Sequence, residues 1–138
     1  MRLLVDTNVI LDIIMVRKPF NDFAKAFFVQ ARQNEDEIYV CGTTLKDISY
    51  QGHRIYHSYK ETNNLLIDVY SRISKIVGVS TDDCIEALYM DGDYEDNIIA
   101  LTAETSMCDA IITRDKTFKN FRTVLTPEKY LEIRNKWD

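Results

Sequence analysis

The chain's 138 residues carry 17 Lys and Arg against 22 Asp and Glu, a net charge of −5, with 46% hydrophobic and 28% charged residues. A chain of this size buries roughly two thirds of its unfolded surface, so a single domain over residues 1–138 is expected, with no need for staples or disordered linkers. The acid excess excludes a broad basic nucleic-acid face, and the 4 glycines stand too far apart for a dinucleotide or P-loop fingerprint.

In chain order, Arg2-Leu3-Leu4-Val5 is a short apolar run closed by Asp6, the pattern of a buried parallel strand. Asn8 to Val16 reads as a short helix that cannot continue through Pro19. Phe20, Phe23, Ala24, Phe27, Phe28 and Ala31 recur at helical spacing and predict a core-facing stripe. Residues 38–41 predict the second strand, followed by a helix capped by Thr43 or Thr44 and carrying Leu45 and Ile48. A helix from about Lys60 to Lys75 leads into a third strand over residues 76–79. Ser80 or Thr81 caps a helix reaching Tyr89, and Asp91-Gly92-Asp93 makes a turn. Tyr94 to Met107 is a helix, residues 110–113 a fourth strand and residues 123–125 a fifth. Thr126-Pro127-Glu128 opens the last helix in the favourable order of cap, then proline. Strands alternating with helices predict an α/β fold, a three-layer α/β/α sandwich around a mostly parallel sheet of four to five strands.

Cys41, Cys84 and Cys108 form no C-x-x-C pair and read as small buried thiols in a reducing compartment. Asp6 and Asp12 interrupt the apolar N-terminal run, which excludes a signal peptide or membrane helix there. A cytoplasmic protein with no membrane partner is expected.

In folds of this class ligands bind at the carboxyl ends of the strands. Asp6 closes the first strand and Asp115 follows the fourth, while Asp47 and Asp96 lie early in the helices after strand two and before strand four. Singly, Asp47 and Asp96 fit helix N-termini and Asp115 a turn. Asp6 has no comparable structural reason. Together, four carboxylates at one rim would repel each other, and a hard divalent cation resolves the conflict. An all-oxygen donor set favours Mg²⁺ or Mn²⁺ over Zn²⁺, and the chemistry such a centre performs is phosphodiester hydrolysis.

Val5-Asp6-Thr7-Asn8-Val9-Ile10-Leu11-Asp12 resembles the opening motif of PIN domains, the nuclease fold of VapC-type toxins. Thr44-Leu45-Lys46-Asp47-Ile48 resembles the second acidic segment of that family, and Asp93-Tyr94-Glu95-Asp96-Asn97-Ile98-Ile99-Ala100 the third. Asp109-Ala110-Ile111-Ile112-Thr113-Arg114-Asp115 resembles the closing strand and its turn. The resemblance implies a Mg²⁺- or Mn²⁺-dependent endoribonuclease with RNA as substrate, an antitoxin protein as partner and a homodimer as the working form. It implies Asp6, Asp47, Asp96 and Asp115 as catalytic acids, with Asp6, Asp96, Asp115 and the accessory Asp93 toward the metal. Asp47 stands where VapC-like members often carry Glu, so its shorter side chain is expected to act through water. Asn8 and Thr113 match polar positions that orient the acids or the phosphate. Asp12 is expected in a helix-surface salt bridge and Asp109 in a structural role.

Arg114, Lys116 and Lys119 cluster after strand four and are candidates to hold RNA phosphate, Arg114 foremost because its planar fork matches phosphate oxygens. Lys46, His53, Arg54, His57 and Lys60, interleaved with Tyr50, Tyr56 and Tyr59, form either a base-stacking surface or a solvated face. His53 and His57 lack the Glu of a metalloprotease helix and read as surface residues. Two other functions compete with the nuclease. A haloacid-dehalogenase-like phosphatase needs D-x-D where this chain has Asp6-Thr7-Asn8, and a PIN-like binding module without cleavage would not need all four acids.

Overall fold

The computed structural model describes residues 1–135. Five strands, β1 (Arg2–Val5), β2 (Glu37–Cys41), β3 (Lys75–Val77), β4 (Ala110–Ile112) and β5 (Val124–Leu125), form one all-parallel sheet in the order β3-β2-β1-β4-β5. Among the described residues seven helices connect and flank them: α1 (Thr7–Ile14), α2 (Phe20–Gln33), α3 (Gly42–Tyr56), α4 (Tyr59–Tyr70), α5 (Thr81–Tyr89), α6 (Tyr94–Thr105) and α7 (Pro127–Asn135).

Strand side chains alternate between the two faces, and the core divides accordingly. Leu3, Val5, Ile38, Val40, Ala110 and Ile112 pack with Ile10 of α1, Phe27 and Phe28 of α2, Ile48 of α3, Val69 of α4 and Tyr130 of α7. Leu4, Tyr39, Cys41 and Ile111 face the other way, onto Ala87 of α5, Ile98, Ile99 and Ala103 of α6, and Phe118 and Phe121. The sheet is therefore covered on both sides, as the alternation of elements predicts. Among the described residues no helix is long and apolar enough to cross a membrane.

Several local expectations need correction. The helix expected to reach Lys75 ends at Tyr70, because Ser74 already joins the sheet: its amide donates to the Ile38 carbonyl at 2.9 Å and its hydroxyl accepts from the Ile38 amide at 3.1 Å. Strand β3 accordingly starts at Lys75 and ends before Gly78. Neither Thr43 nor Thr44 caps α3; β2 runs straight into it, Cys41 takes the cap position, and Thr44 is buried against the Thr7 hydroxyl at 3.4 Å. Phe20 and Phe23 are 37% and 39% exposed, since the first turn of α2 overhangs the packed layer. Cys41 and Cys108 are buried and Cys84 half-buried, all as free thiols.

At the amino ends of the strands, buried Asp36 accepts from the Met1 amino group (2.7 Å), the Tyr130 hydroxyl (2.6 Å) and Arg134 Nη2 (2.7 Å). Burial and this carboxylate push the Tyr130 hydroxyl up to about 12. The network ties α7 to the sheet at the end opposite the acids described next.

Candidate active site at the strand exits

The chain's connections leave β1 toward β2 on one side of the sheet, while β4 and β5 lie on the other, so strand order reverses between β1 and β4. That reversal leaves a crevice at their carboxyl ends. Parallel pairing sets Val5 beside Ile112, and the Asp6 amide donates to the Ile112 carbonyl at 2.9 Å. Asp6 and Thr113 therefore leave the sheet side by side.

Asp6 caps α1: its Oδ1 accepts from the Thr7 amide at 2.8 Å, and its Oδ2 accepts from the Thr113 hydroxyl at 2.8 Å. It is only 8% exposed. Burial raises its pKa above the ordinary carboxylate value, as do the charges of Asp115 and Asp93, against the lowering effect of the two hydrogen bonds. The Thr113 hydroxyl also accepts from Asn8 Nδ2 (2.9 Å) and from the Asp115 amide (3.1 Å). One donor and two lone pairs are thereby all used within the protein. Asn8 is similarly spent, its Oδ1 accepting from the Arg114 amide at 3.1 Å. Both side chains orient the acids and the turn.

Asp115 lies at the surface of that turn. Its Oδ1 accepts from the Thr117 hydroxyl (2.7 Å) and amide (2.9 Å), and these bonds hold its carboxyl below the usual value. Across the crevice, Gly92 adopts φ +93° in the turn that delivers Asp93 to the start of α6. Asp93 caps that helix, accepting from the Asp96 amide at 3.1 Å. Asp96, half-buried in the first turn, is pushed up to about 6 by burial and then by the charges of Asp93, Asp115 and Asp6.

Asp47 sits half-buried on α3, and its near neighbour is Glu95, which the sequence reading did not single out. Glu95 is largely open to solvent, yet its carboxyl rises to about 7. Partial desolvation in the crevice comes first among the causes, then a hydrogen bond to Asp47 and the charges of Asp47, Asp6 and Asp93. The available signal was its place one residue before Asp96, but an acid in a first helical turn is what the helix dipole alone would favour. Among the described residues, none of Asp6, Asp47, Asp93, Glu95, Asp96 or Asp115 has an ion-pair partner.

The basic residues fall differently from expectation. Arg114 points away from the acids, onto Asp12: Nε lies 2.5 Å and Nη2 2.7 Å from its two carboxylate oxygens. Asp12 is not on the helix surface but fully buried, because α2 covers that side of α1. Lys116 is exposed, with no ion pair among the described residues. Lys119 lines a cleft of about 390 Å³ with Asp93, Asp96, Asn97 and Thr117. On α3 and α4, His53 stacks flat on Tyr59 with ring centroids 3.8 Å apart, and Tyr56 donates to the Ile14 carbonyl, while Tyr50 remains exposed. Asp109 accepts from the Arg2 amide at 2.7 Å, a structural contact as expected.

The donor set suits a hard divalent cation: it is all oxygen, anionic and mutually repelling. Among the described residues, no three carboxylate, histidine or cysteine side chains close into a ready metal cage. The acids are close enough for the charges of Asp6, Asp93, Asp96 and Asp115 to act on one another.

The family model described as PIN domain matches residues 2–117. No curated protein matches the chain. Among solved structures, a chain of VapBC2 from Rickettsia felis, bound to a DNA fragment from their promoter, is similar at TM-score 0.68 and 17% identity, covering 91% of this chain and 98% of that one. VapC20 of Mycobacterium tuberculosis, described as a Sarcin-Ricin loop cleaving toxin, gives TM-score 0.68 at 11% identity over 87% of this chain and 98% of its own. A chain of a toxin-antitoxin complex from Klebsiella pneumoniae is 26% identical at TM-score 0.61, with coverages of 91% and 97%. With a sequence match running from β1 through the turn after β4, and the same fold in these neighbours, the chain belongs to the PIN domain family.

Proposed function

We propose that the chain is a Mg²⁺- or Mn²⁺-dependent endoribonuclease hydrolysing RNA phosphodiester bonds, and the toxin of a type II toxin–antitoxin pair in the cytoplasm. The observation that carries this reading is the set of acids at the β1–β4 strand exits, where burial and then the other acids' charges raise Asp6 and Asp96, with no ion pair to either among the described residues. Such an arrangement costs folding stability, which a cation-dependent function explains and a purely structural role does not. The toxin part is supported by the Klebsiella neighbour, described as a toxin–antitoxin complex, and by the mycobacterial neighbour, described as a Sarcin-Ricin loop cleaving toxin, which also supports RNA as substrate.

A divalent cation bound there would supply charge neutralisation at the phosphate and a more acidic water. Asp6, Asp96 and Asp115 would hold it, with Asp93 as an accessory acid. Thr113 and Asn8 hold Asp6 and the Asp115 turn in place. Glu95, whose carboxyl rises to about 7 through desolvation and then its neighbour Asp47, can orient a water or exchange a proton with it. Lys116 and Lys119, exposed and without an ion pair among the described residues, can meet RNA phosphates. A homodimer is part of the proposal, supported by Ile85, Leu88 and Tyr89 of α5, which are 51%, 72% and 88% exposed.

The phosphatase reading is disfavoured because Asn8 stands where that chemistry needs an acid, with its amide committed to Thr113 and Arg114. The deciding experiment is incubation of single-stranded RNA with the chain and Mn²⁺, with and without EDTA. Chelator-sensitive cutting that is lost in Asp6→Asn supports the nuclease. Hydrolysis of small phosphomonoesters without RNA cutting would replace it with the phosphatase, and metal binding without turnover of either would leave a binding module.

A further inference from the structure

The carboxylate of Asp12 is fully buried, and both its oxygens are taken by the Arg114 fork at 2.5 and 2.7 Å. Phe20 of α2 lies beneath the guanidinium, 3.9 Å from ring centroid to Cζ. Arg17 stands by, with Nε 3.7 Å from Asp12 Oδ1. Buried ion pairs of this kind rarely add net stability, because removing both charges from water offsets their attraction. What a two-point fork adds is direction: the planar group can sit in one orientation only.

The orientation matters because of what Arg114 joins. Its amide is held by Asn8 and its side chain by Asp12, two residues one turn apart on the same face of α1. The helix that grips it is the one Asp6 caps, and the residue after it is Asp115. Main-chain and side-chain anchors thus tie the 113–115 turn to α1 as one body, and the two acids lie at its two ends.

We propose that Asp12 and Arg114 are a positioning pair, which locks the turn after β4 onto α1 and so sets the placement of Asp115 relative to Asp6 for binding of a divalent cation. The inference rests on the metal-dependent reading above, and it takes Arg114 away from the substrate. With Nε and Nη2 spent on a buried carboxylate, the guanidinium is turned by Asp12 and not by a phosphate, and only its Nη1 side keeps both donors.

The test uses Mn²⁺ alone, titrated calorimetrically into the purified full chain without RNA. The variant is Asp12→Leu with Arg114→Met, which fills the volume, keeps the packing on Phe20 and removes both members of the pair, while Arg17, which also loses Asp12, is 36% exposed. Loss of a group that orients metal ligands typically weakens metal binding roughly 10- to 100-fold. The expected result is a loss of that size with cooperative melting retained. Arg114→Lys, which keeps the charge but not the fork, should show it too, and serves as the deciding variant if the double one fails to fold. Native-like Mn²⁺ affinity in either folded variant overturns the proposal while leaving the nuclease reading standing. So does an Arg114→Lys chain whose RNA KM rises at unchanged Mn²⁺ affinity, since that is the behaviour of a phosphate contact. If the natural chain takes up no Mn²⁺ at all, the metal-dependent reading falls and this inference with it.

Discussion

The Thr113 hydroxyl donates to Asp6 Oδ2 at 2.8 Å, so an acid from the start of the chain is held by a residue 107 positions later. The same oxygen accepts from Asn8 and from the Asp115 amide, which makes it the meeting point of β1, α1 and the turn after β4. Thr113→Val keeps the shape and deletes all three bonds. Leaving buried polar groups without partners costs about 1–3 kcal/mol, and Asp6, losing a bond to its charged form, should hold its proton more tightly. The expected outcome is a lower melting temperature together with weaker Mn²⁺ binding at neutral pH. Melting and metal titration at native values would show that the hydroxyl holds nothing that matters.

Asp96→Asn should abolish RNA cleavage yet leave the metal-free chain folded, and at neutral pH more stable than the natural one. Asp96 is raised to about 6 by burial and by Asp93, Asp115 and Asp6, so its ionised form is disfavoured in the native state. The amide removes that repulsion while keeping the shape. Circular dichroism melting at pH 7 and a ribonuclease assay on the same sample decide it. A variant that still cuts RNA at the natural rate takes Asp96 out of the mechanism.

The same shifts fix how stability depends on pH. An acid whose native pKa lies above its unfolded value binds its proton more tightly when folded, so stability falls as pH rises between the two values. For Asp96 this window runs from the ordinary 3.8 to about 6, and for Glu95 from 4.5 to about 7. The metal-free chain should therefore lose stability across the interval spanned by those values, by a modest amount because both groups are partly solvated. Mn²⁺ should reverse the loss at the upper end: binding to the native state alone adds about 2.7 kcal/mol at a hundredfold excess over Kd. Melting curves with and without Mn²⁺ at both ends of the window test both signs. A melting temperature that rises with pH over that interval in chelator would contradict the crowding of these acids.

Asp36→Ala separates fold from site. It strips a buried carboxylate from the Met1 amino group, Arg134 and the Tyr130 hydroxyl, at the end of the sheet remote from Asp6. Removing one partner of a buried ion pair costs about 3–5 kcal/mol, less here because both cationic partners reach solvent. Denaturant unfolding should show the loss, while Mn²⁺ affinity of the folded fraction stays native.

The strands were legible because each is a short apolar run, and Asp6 because an acid closing such a run has no comparable structural reason, whereas Asp115, which a turn alone explains, drew notice only by following a strand of the same parallel sheet. Glu95 was hidden by its position, since the helix dipole explains an acid in a first turn without any partner. Asp12 makes the salt bridge expected of it, but in the interior and with Arg114, the residue expected to hold phosphate. The pair spans 102 positions, and periodicity on a short helix cannot tell that a second helix will cover its polar side. Phe20 and Phe23 failed for the converse reason: a helical stripe gives a direction, not the place where the neighbouring layer stops.

Gly52 bears on the site through α3, the helix that carries Asp47. A Cβ at Gly52 would lie 2.2 Å from Thr62 Cγ2 and 2.9 Å from Thr62 Oγ1, so α3 and α4 meet there without room for a side chain. Alanine is the better helix former by about 1 kcal/mol, but overpacking of this kind costs about 1–3 kcal/mol and forces the helices apart. Thr62 cannot easily turn aside, since its hydroxyl donates to the Ser58 carbonyl at 2.8 Å. Gly52→Ala should therefore destabilise the chain and, by displacing α3, separate Asp47 from Glu95. Adding Thr62→Ala removes both clashing atoms and should restore most of the lost stability. Denaturant melts of the two single variants and the double one measure the coupling. If Gly52→Ala alone melts at or above the natural temperature, the two helices do not pack as closely as the Gly52–Thr62 contact requires.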